Sequence, residues 1–176
     1  MMNHTTLPLN SRPAHRIDWK KICMVEPIYL PTGKNGCRIH YDDGSWEDLG
    51  CRLSRLLEFW ADAMMTTVPQ MQKLSRAWLG SANRRRVPLV LNHQVCLIPV
   101  RCRQRQRHND TASGYLVLHK IKQIALQPES GSYLLFYANP RPIPVLENRR
   151  YIQKNIAMGW ALLDHYRQEQ QTMLQL

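Results

Sequence analysis

The sequence predicts an α+β fold: an antiparallel β-sheet with two helices in the N-terminal half and one long helix at the C-terminus. Two periodicities and a size argument lead there. Over 22–41 and 87–137, short apolar or alternating runs lie between turn-forming clusters, the pattern of strands in hairpins. Between those blocks, and again after residue 146, apolar residues recur at helical spacing. With 176 residues, 44% of them hydrophobic, the chain is one globular domain able to bury a core, not a disordered basic tail.

Residues 1–16 are polar and carry no periodicity, so they read as a mobile arm preceding a single domain over 17–176. Ile22–Val25 and Cys37–Tyr41 are short strands, with turns supplied by Gly33, Asn35 and Gly36 and then by Asp42-Asp43-Gly44. From Asp48 the period changes to a helix: Leu49, Leu53, Leu56, Leu57 and Trp60 share one face, opposite Arg52, Arg55 and Glu58. A second helix covers Gln70–Leu79 on the stripe Met71, Leu74, Trp78 and Leu79. Pro69 suits its first turn and Gly80 its end. Val87–Leu91 and Val95–Val100 flank Asn92-His93-Gln94 as a hairpin. Gly114–Leu126 and Ser132–Tyr137 are further strands, separated by "QPESG", and "ANPRPIP" connects them to a helix over 147–169. Tyr151, Ile152, Ile156, Trp160 and Leu163 form the apolar face of that helix, and Leu163, Trp160 and Tyr166 are candidates for a dimer seam.

Charge narrows the function. Lys and Arg outnumber Asp and Glu by 24 to 13, a formal excess of +11, which points to a polyanion, nucleic acid before membrane surface. No apolar run reaches the roughly 18 residues a membrane span needs, and the N-terminus lacks the apolar core of a secretory signal. The five cysteines are widely spaced with no C-x-x-C pair, which suits reduced thiols in a cytoplasmic protein better than a zinc module.

The sharpest feature is "VRCRQRQRHND", in which arginine takes every second position from Arg101 to Arg107. If extended, Arg101, Arg103, Arg105 and Arg107 project together at intervals of about 6.8 Å, twice the antiparallel rise. Unneutralised, they repel one another, so the loop is expected to be mobile. Arginine forks match phosphate and are drawn into narrow A-tract minor grooves; Arg103 and Arg105 are the candidates for groove insertion. A second run, Arg84, Arg85 and Arg86, precedes the hairpin, and Lys120, Lys122, Arg149, Arg150 and Lys154 extend the basic character downstream. Arg149 and Arg150 fall in the first turn of the last helix, where positive charge opposes the macrodipole and suggests an external anion.

Catalytic and metal readings are weaker. His40, Asp42 and Asp43 could approach a metal, but Asp-Asp-Gly is ordinary turn chemistry. No nucleophile elbow, P-loop or dinucleotide fingerprint occurs, so neither enzyme activity nor a cofactor is expected. Tyr115, Tyr133 and Tyr137 could stack on bases, as in an RNA-binding or ribosome-associated module. Without an RNP1-like pattern, core packing is the better reading.

The order "RRVPLVLNHQVCLIPV", a basic loop, "GYLVLHKIKQI", then "SYLLFYANPRPIPVLENRRYIQKNIAMGWALL" resembles the ComK family of competence transcription factors from Firmicutes. The likeness covers about residues 20–165 and is densest over 87–165. It rests on the hairpin ending in Pro99, Gly114-Tyr115 opening the next strand, the polar turn at Asn139 and a final helix near Asn148. It implies a transcriptional activator of DNA-uptake and transformation genes, working with RNA polymerase. Such an activator binds AT-rich A-run/T-run boxes through the minor groove as a homodimer or homotetramer. No DNA-contacting residue is carried over from the family. The chain differs in its more helical 56–79 segment and in ending soon after the last helix, where some relatives continue into a tail tied to proteolysis by a Clp-type protease and its adaptor.

Overall fold

The structure, a computed structural model, describes residues 17–80 and 86–175. The chain begins with a three-strand meander, β1 (Ile22–Tyr29), β2 (Asn35–Tyr41) and β3 (Trp46–Leu49). Helices α1 (Leu53–Ala63) and α2 (Val68–Trp78) lead to a second meander, β4 (Leu89–Val90), β5 (Cys96–Arg101) and β6 (Ser113–Val117). The two meanders join where β1 meets β6 through Met24–Leu116 and Val25–Tyr115, giving one antiparallel sheet in the order β3-β2-β1-β6-β5-β4. A second sheet, β7 (Ile121–Leu126), β8 (Ser132–Phe136) and β9 (Ile143–Val145), is followed by the long helix α3 (Arg149–Leu174). The α+β class, with two helices in the N-terminal half and one long C-terminal helix, is as the sequence predicts.

Side-chain alternation divides the core. On one face of the large sheet, Ile22, Val25, Ile39, Leu97 and Val117 pack against Leu53, Leu56 and Trp60 of α1 and Met71 of α2. On the other, Met24, Ile98, Val100 and Leu116 meet Leu134 and Phe136 of the small sheet and Ile152, Leu162 and Leu163 of α3. Burying a side chain of this kind stabilises the fold by about 1.5–3 kcal/mol. A bulge between Ile22 and Met24 puts both Cys23 and Met24 on the α3 side. Gly159 lets α3 close on β5, since a Cβ there would fall on the Ile98 side chain.

The elements depart from the sequence reading in several places, among them β9, which begins within the stretch 138–144 read as a proline-rich connector and pairs with β8, and β2, which takes in Asn35 and Gly36, read as turn residues. β1 runs on through Pro27, which stands beyond the last β1–β6 pair, where β1 has become an edge and a missing N–H is tolerated. β3 takes the residues assigned to the start of the first helix, because Leu49 fits the inward face of a strand as well as it fits the helical spacing to Leu53. The strand expected over Gly114–Leu126 breaks at a 3-10 turn, Leu118–Lys120, and resumes as β7 in the other sheet. Finally, α3 begins at Arg149 and continues to Leu174, past the expected range of 147–169. Asn148 caps it, its Oδ1 accepting from the Tyr151 amide at 2.8 Å. The second helix carries the expected punctuation, Pro69 in its first turn and Gly80 after it with φ of 62°, but begins at Val68, two residues before the expected start, behind a Thr67 cap. The arm expected over 1–16 lies outside the described residues.

Candidate nucleic-acid interface

Strand β5 ends at Arg101, opposite Ser113 of β6, and the arginine-rich segment forms the loop between them. This loop is tied to the body of the protein through Asp110. The carboxylate accepts from Tyr29 Oη at 2.5 Å, Asn35 Nδ2 at 2.8 Å and the Arg107 amide at 2.9 Å. Those hydrogen bonds, Tyr29 first, hold its pKa well below the usual carboxylate range. The Gln106 amide donates to Tyr29 Oη at 2.8 Å, so one tyrosine bridges two points of the loop. Four positive charges in a row are therefore shaped by a single buried acid at the end of the run.

The four arginines do not share one role. Arg103 lies over the Tyr29 ring, its guanidinium carbon 3.9 Å from the centroid. Its Nε donates to the Thr111 carbonyl at 2.8 Å and its Nη2 to Asn35 Oδ1 at 2.6 Å. Its Nη1 is buried without a partner among the described residues. Arg103 is thus a strut of the loop, and its expected part as a groove-inserting residue is withdrawn: the guanidinium is already in use and largely covered. Arg101 is exposed and reaches the Leu146 carbonyl at 3.4 Å. Arg105 and Arg107 are exposed, and their side chains have no hydrogen-bond or ion-pair partner among the described residues.

The root of the loop meets two other basic segments at Glu147, which is 6% exposed. Glu147 Oε2 accepts from Arg86 Nη1 at 2.8 Å and from the Arg101 amide at 3.3 Å. The Arg101 carbonyl accepts in return from the amides of Leu146 and Glu147, at 2.8 and 3.1 Å. Arg86 also lies 4.8 Å above the Tyr151 ring. The docked corner holds Arg149 and Arg150 in the first turn of α3, both exposed, with exposed Lys154 one turn further on. Arg86 is thereby a clamp instead of a free cation; Arg84 and Arg85 lie outside the described residues.

Lys120 is likewise occupied. Its Nζ donates to Asp42 Oδ2 at 2.6 Å and to the Lys20 carbonyl, pinning the 3-10 turn to the first meander. Lys122 is exposed on β7. The acids near His40 have local partners too: His40 Nε2 lies 2.8 Å from Glu26 Oε1, and Asp43 accepts from Ser45 in the turn. No group of three His, Cys, Asp or Glu side chains is placed to hold a metal among the described residues. Leu163 is fully buried and so cannot form the expected dimer seam, while Tyr166 is half-buried and packs edge-on to Trp78 at 6.1 Å. Trp160 alone of that trio is substantially exposed, at 39%. The tyrosines do not make a stacking row: Tyr115 packs against the α1 core and Tyr133 is half-buried, whereas Tyr137, expected to pack inward, is 72% exposed.

The cysteines are unbridged, and burial pushes the Cys23 and Cys96 thiols up to about 11 and about 12. Cys51 is the exception. Its thiol is half-buried, 3.8 Å from that of Cys37, and a hydrogen bond from Cys37 lowers its pKa.

No protein-family model, no curated protein and no solved structure matches this chain. Among the described residues, no helix is long and apolar enough to cross a membrane.

Proposed function

We propose that this chain is a non-enzymatic, ComK-like transcriptional activator of competence genes that acts in the cytoplasm at the nucleoid and binds AT-rich duplex DNA. The observation that carries the reading is the corner at Glu147, where the arginine loop, Arg86 and the first turn of α3 converge on one buried acid. That acid is spent on Arg86 and on backbone, leaving Arg101, Arg105, Arg107, Arg149, Arg150 and Lys154 exposed toward a polyanion. Two side chains, Arg105 and Arg107, project from a loop held in shape by Asp110 and are suited to a narrow, electronegative minor groove. The remaining cations are suited to phosphates, which set register and affinity but carry no sequence information. Cytoplasmic placement agrees with unbridged cysteines, and assembly on DNA as a homodimer or homotetramer, with RNA polymerase as the downstream partner, follows from the family resemblance.

The test is an anisotropy titration of an A-run/T-run duplex and a GC-rich duplex at two salt concentrations. Replacing Arg105 and Arg107 by Gln is expected to reduce the preference for the AT-rich duplex and to lower the salt slope by about two. Replacing Arg149 and Arg150 should weaken both duplexes alike. Unchanged affinity and slope in both double variants would remove this corner from the interface.

A further inference from the structure

A second basic surface lies beside the first, and it has a different chemistry. Between the 3-10 turn, β7 and α3 runs an open groove of about 440 Å³. Its floor is aliphatic, from Leu118, Ile121, Ile124 and Ile156. Its rim carries Tyr137 and Trp160, two of the most exposed aromatic side chains among the described residues. Lys122 and Arg149 stand over the same space, with the amide side chains of Gln123 and Gln153, and no carboxylate lines it.

Each wall is aimed by its element. The register of β7 against β8 shifts between Ile121 and Gln123, and such a bulge turns an extra residue, Lys122, out of the ordinary alternation. The Tyr137 amide donates to the Lys120 carbonyl at 3.0 Å, which fixes the start of that loop against the 3-10 turn. On α3, Arg149, Gln153, Ile156 and Trp160 follow one another at helical spacing and form a single stripe along the groove. Lys122 and Arg149 have no hydrogen-bond or ion-pair partner among the described residues.

Exposed aromatic rings beside unneutralised cations, over an apolar floor, are the parts of a site for a planar, negatively charged molecule. A duplex offers no free base face to such rings, because its bases are stacked on one another. We infer that the groove binds a nucleotide unit, an unpaired base stacking on Tyr137 or Trp160 with its phosphate held by Lys122 and Arg149. The unit is supplied either by a single strand or by a free mononucleotide. The volume suits one such unit, and the two side-chain amides can meet the edge of a base without demanding one identity.

The experiment uses the full chain with dTMP, inorganic phosphate and fluorescein-labelled (dT)10. Titration of dTMP should quench tryptophan fluorescence through Trp160, and inorganic phosphate should not. Tyr137→Ala and Lys122→Gln, both at exposed positions, are each expected to weaken (dT)10 binding by roughly ten-fold. Displacement of (dT)10 by dTMP supports the site and shows that a free nucleotide suffices; strand binding without dTMP binding supports it only where Tyr137→Ala and Lys122→Gln weaken that binding, and otherwise overturns it. Undiminished (dT)10 binding by both variants overturns it, as does failure of the wild-type chain to bind dTMP and (dT)10. The outcome is separable from the duplex reading: the Arg105/Arg107 double variant should retain the dTMP-induced quenching. A chain that bound duplex but neither probe would sink this inference alone.

Discussion

Asp110 shows how much one side chain can decide. It closes a run of eleven residues that contains four arginines and no other acid, and its carboxylate collects a tyrosine hydroxyl, an asparagine amide and a backbone amide. Because those donors favour the ionised form, its folded pKa lies below the unfolded value of about 3.9. The sign follows directly. Asp110 stabilises the loop fully above that unfolded value, and its contribution is lost only as pH falls through the lower folded one. The Asp110 carboxyl carbon resonance should therefore hold its position from pH 7 down to about 4 and move only in stronger acid. Asp110→Ala should shift the Gln106 and Arg107 amide resonances already at pH 7, and unchanged resonances in that variant would contradict the anchor. Tyr29 and Asn35, the partners of Asp110, were not legible as site residues in the sequence. They belong to the first hairpin, some seventy-five to eighty-one positions away, and local pattern carries no record of such a pairing.

At the scale of elements, the large sheet depends on a narrow seam. The two meanders meet through only two residue pairs of β1 and β6, and Gly114 sits at its edge. A Cβ on Gly114 would fall on the Val25 carbonyl oxygen and lie 2.8 Å from Cys102 Sγ, and the nearer obstacle is backbone, which cannot swing aside. Gly114→Ala is expected to cost about 1–3 kcal/mol, read from a urea unfolding curve. Gly80→Ala provides the comparison. There a Cβ meets nothing within 4 Å, though φ of 62° still strains the backbone; its loss should be smaller, and equal losses would refute the role of the seam. The hairpin turn at Asn92 was readable from its own chemistry, the Asn92 Oδ1 accepting from the Gln94 and Val95 amides at 2.8 and 2.9 Å. The break at Leu118–Lys120 was not, because Leu116, Val117, Leu118 and Ile121 continue an apolar pattern straight across it. What ends β6 there is remote, the capture of Lys120 by Asp42 and the Lys20 carbonyl.

Across the whole molecule, a net charge of +11 conceals two populations of cations. Arg86, Arg103 and Lys120 hold parts of the fold together, while Arg105, Arg107, Arg149, Arg150, Lys122 and Lys154 stand exposed. The two should separate in experiment. Lys120→Gln leaves Asp42 without its cation and is expected to lower stability by about 1–3 kcal/mol, seen as a lower thermal midpoint, with the salt slope for duplex binding unchanged. Lys154→Gln should do the reverse, reducing the slope and leaving the midpoint in place; identical behaviour of the two variants would erase the division. By itself, the sequence determined the α+β class, the three helices and most of the strands, the turns at Asn92 and Gly80 and the excess of positive charge. These follow from periodicity, turn chemistry and composition, all local or additive properties. Only the tertiary structure decided which arginines are struts, that β6 and β7 belong to different sheets, and that Tyr137 and Trp160 share a groove. Those are matters of which distant side chain arrives first at a given donor or face, and a one-dimensional pattern does not contain that distance.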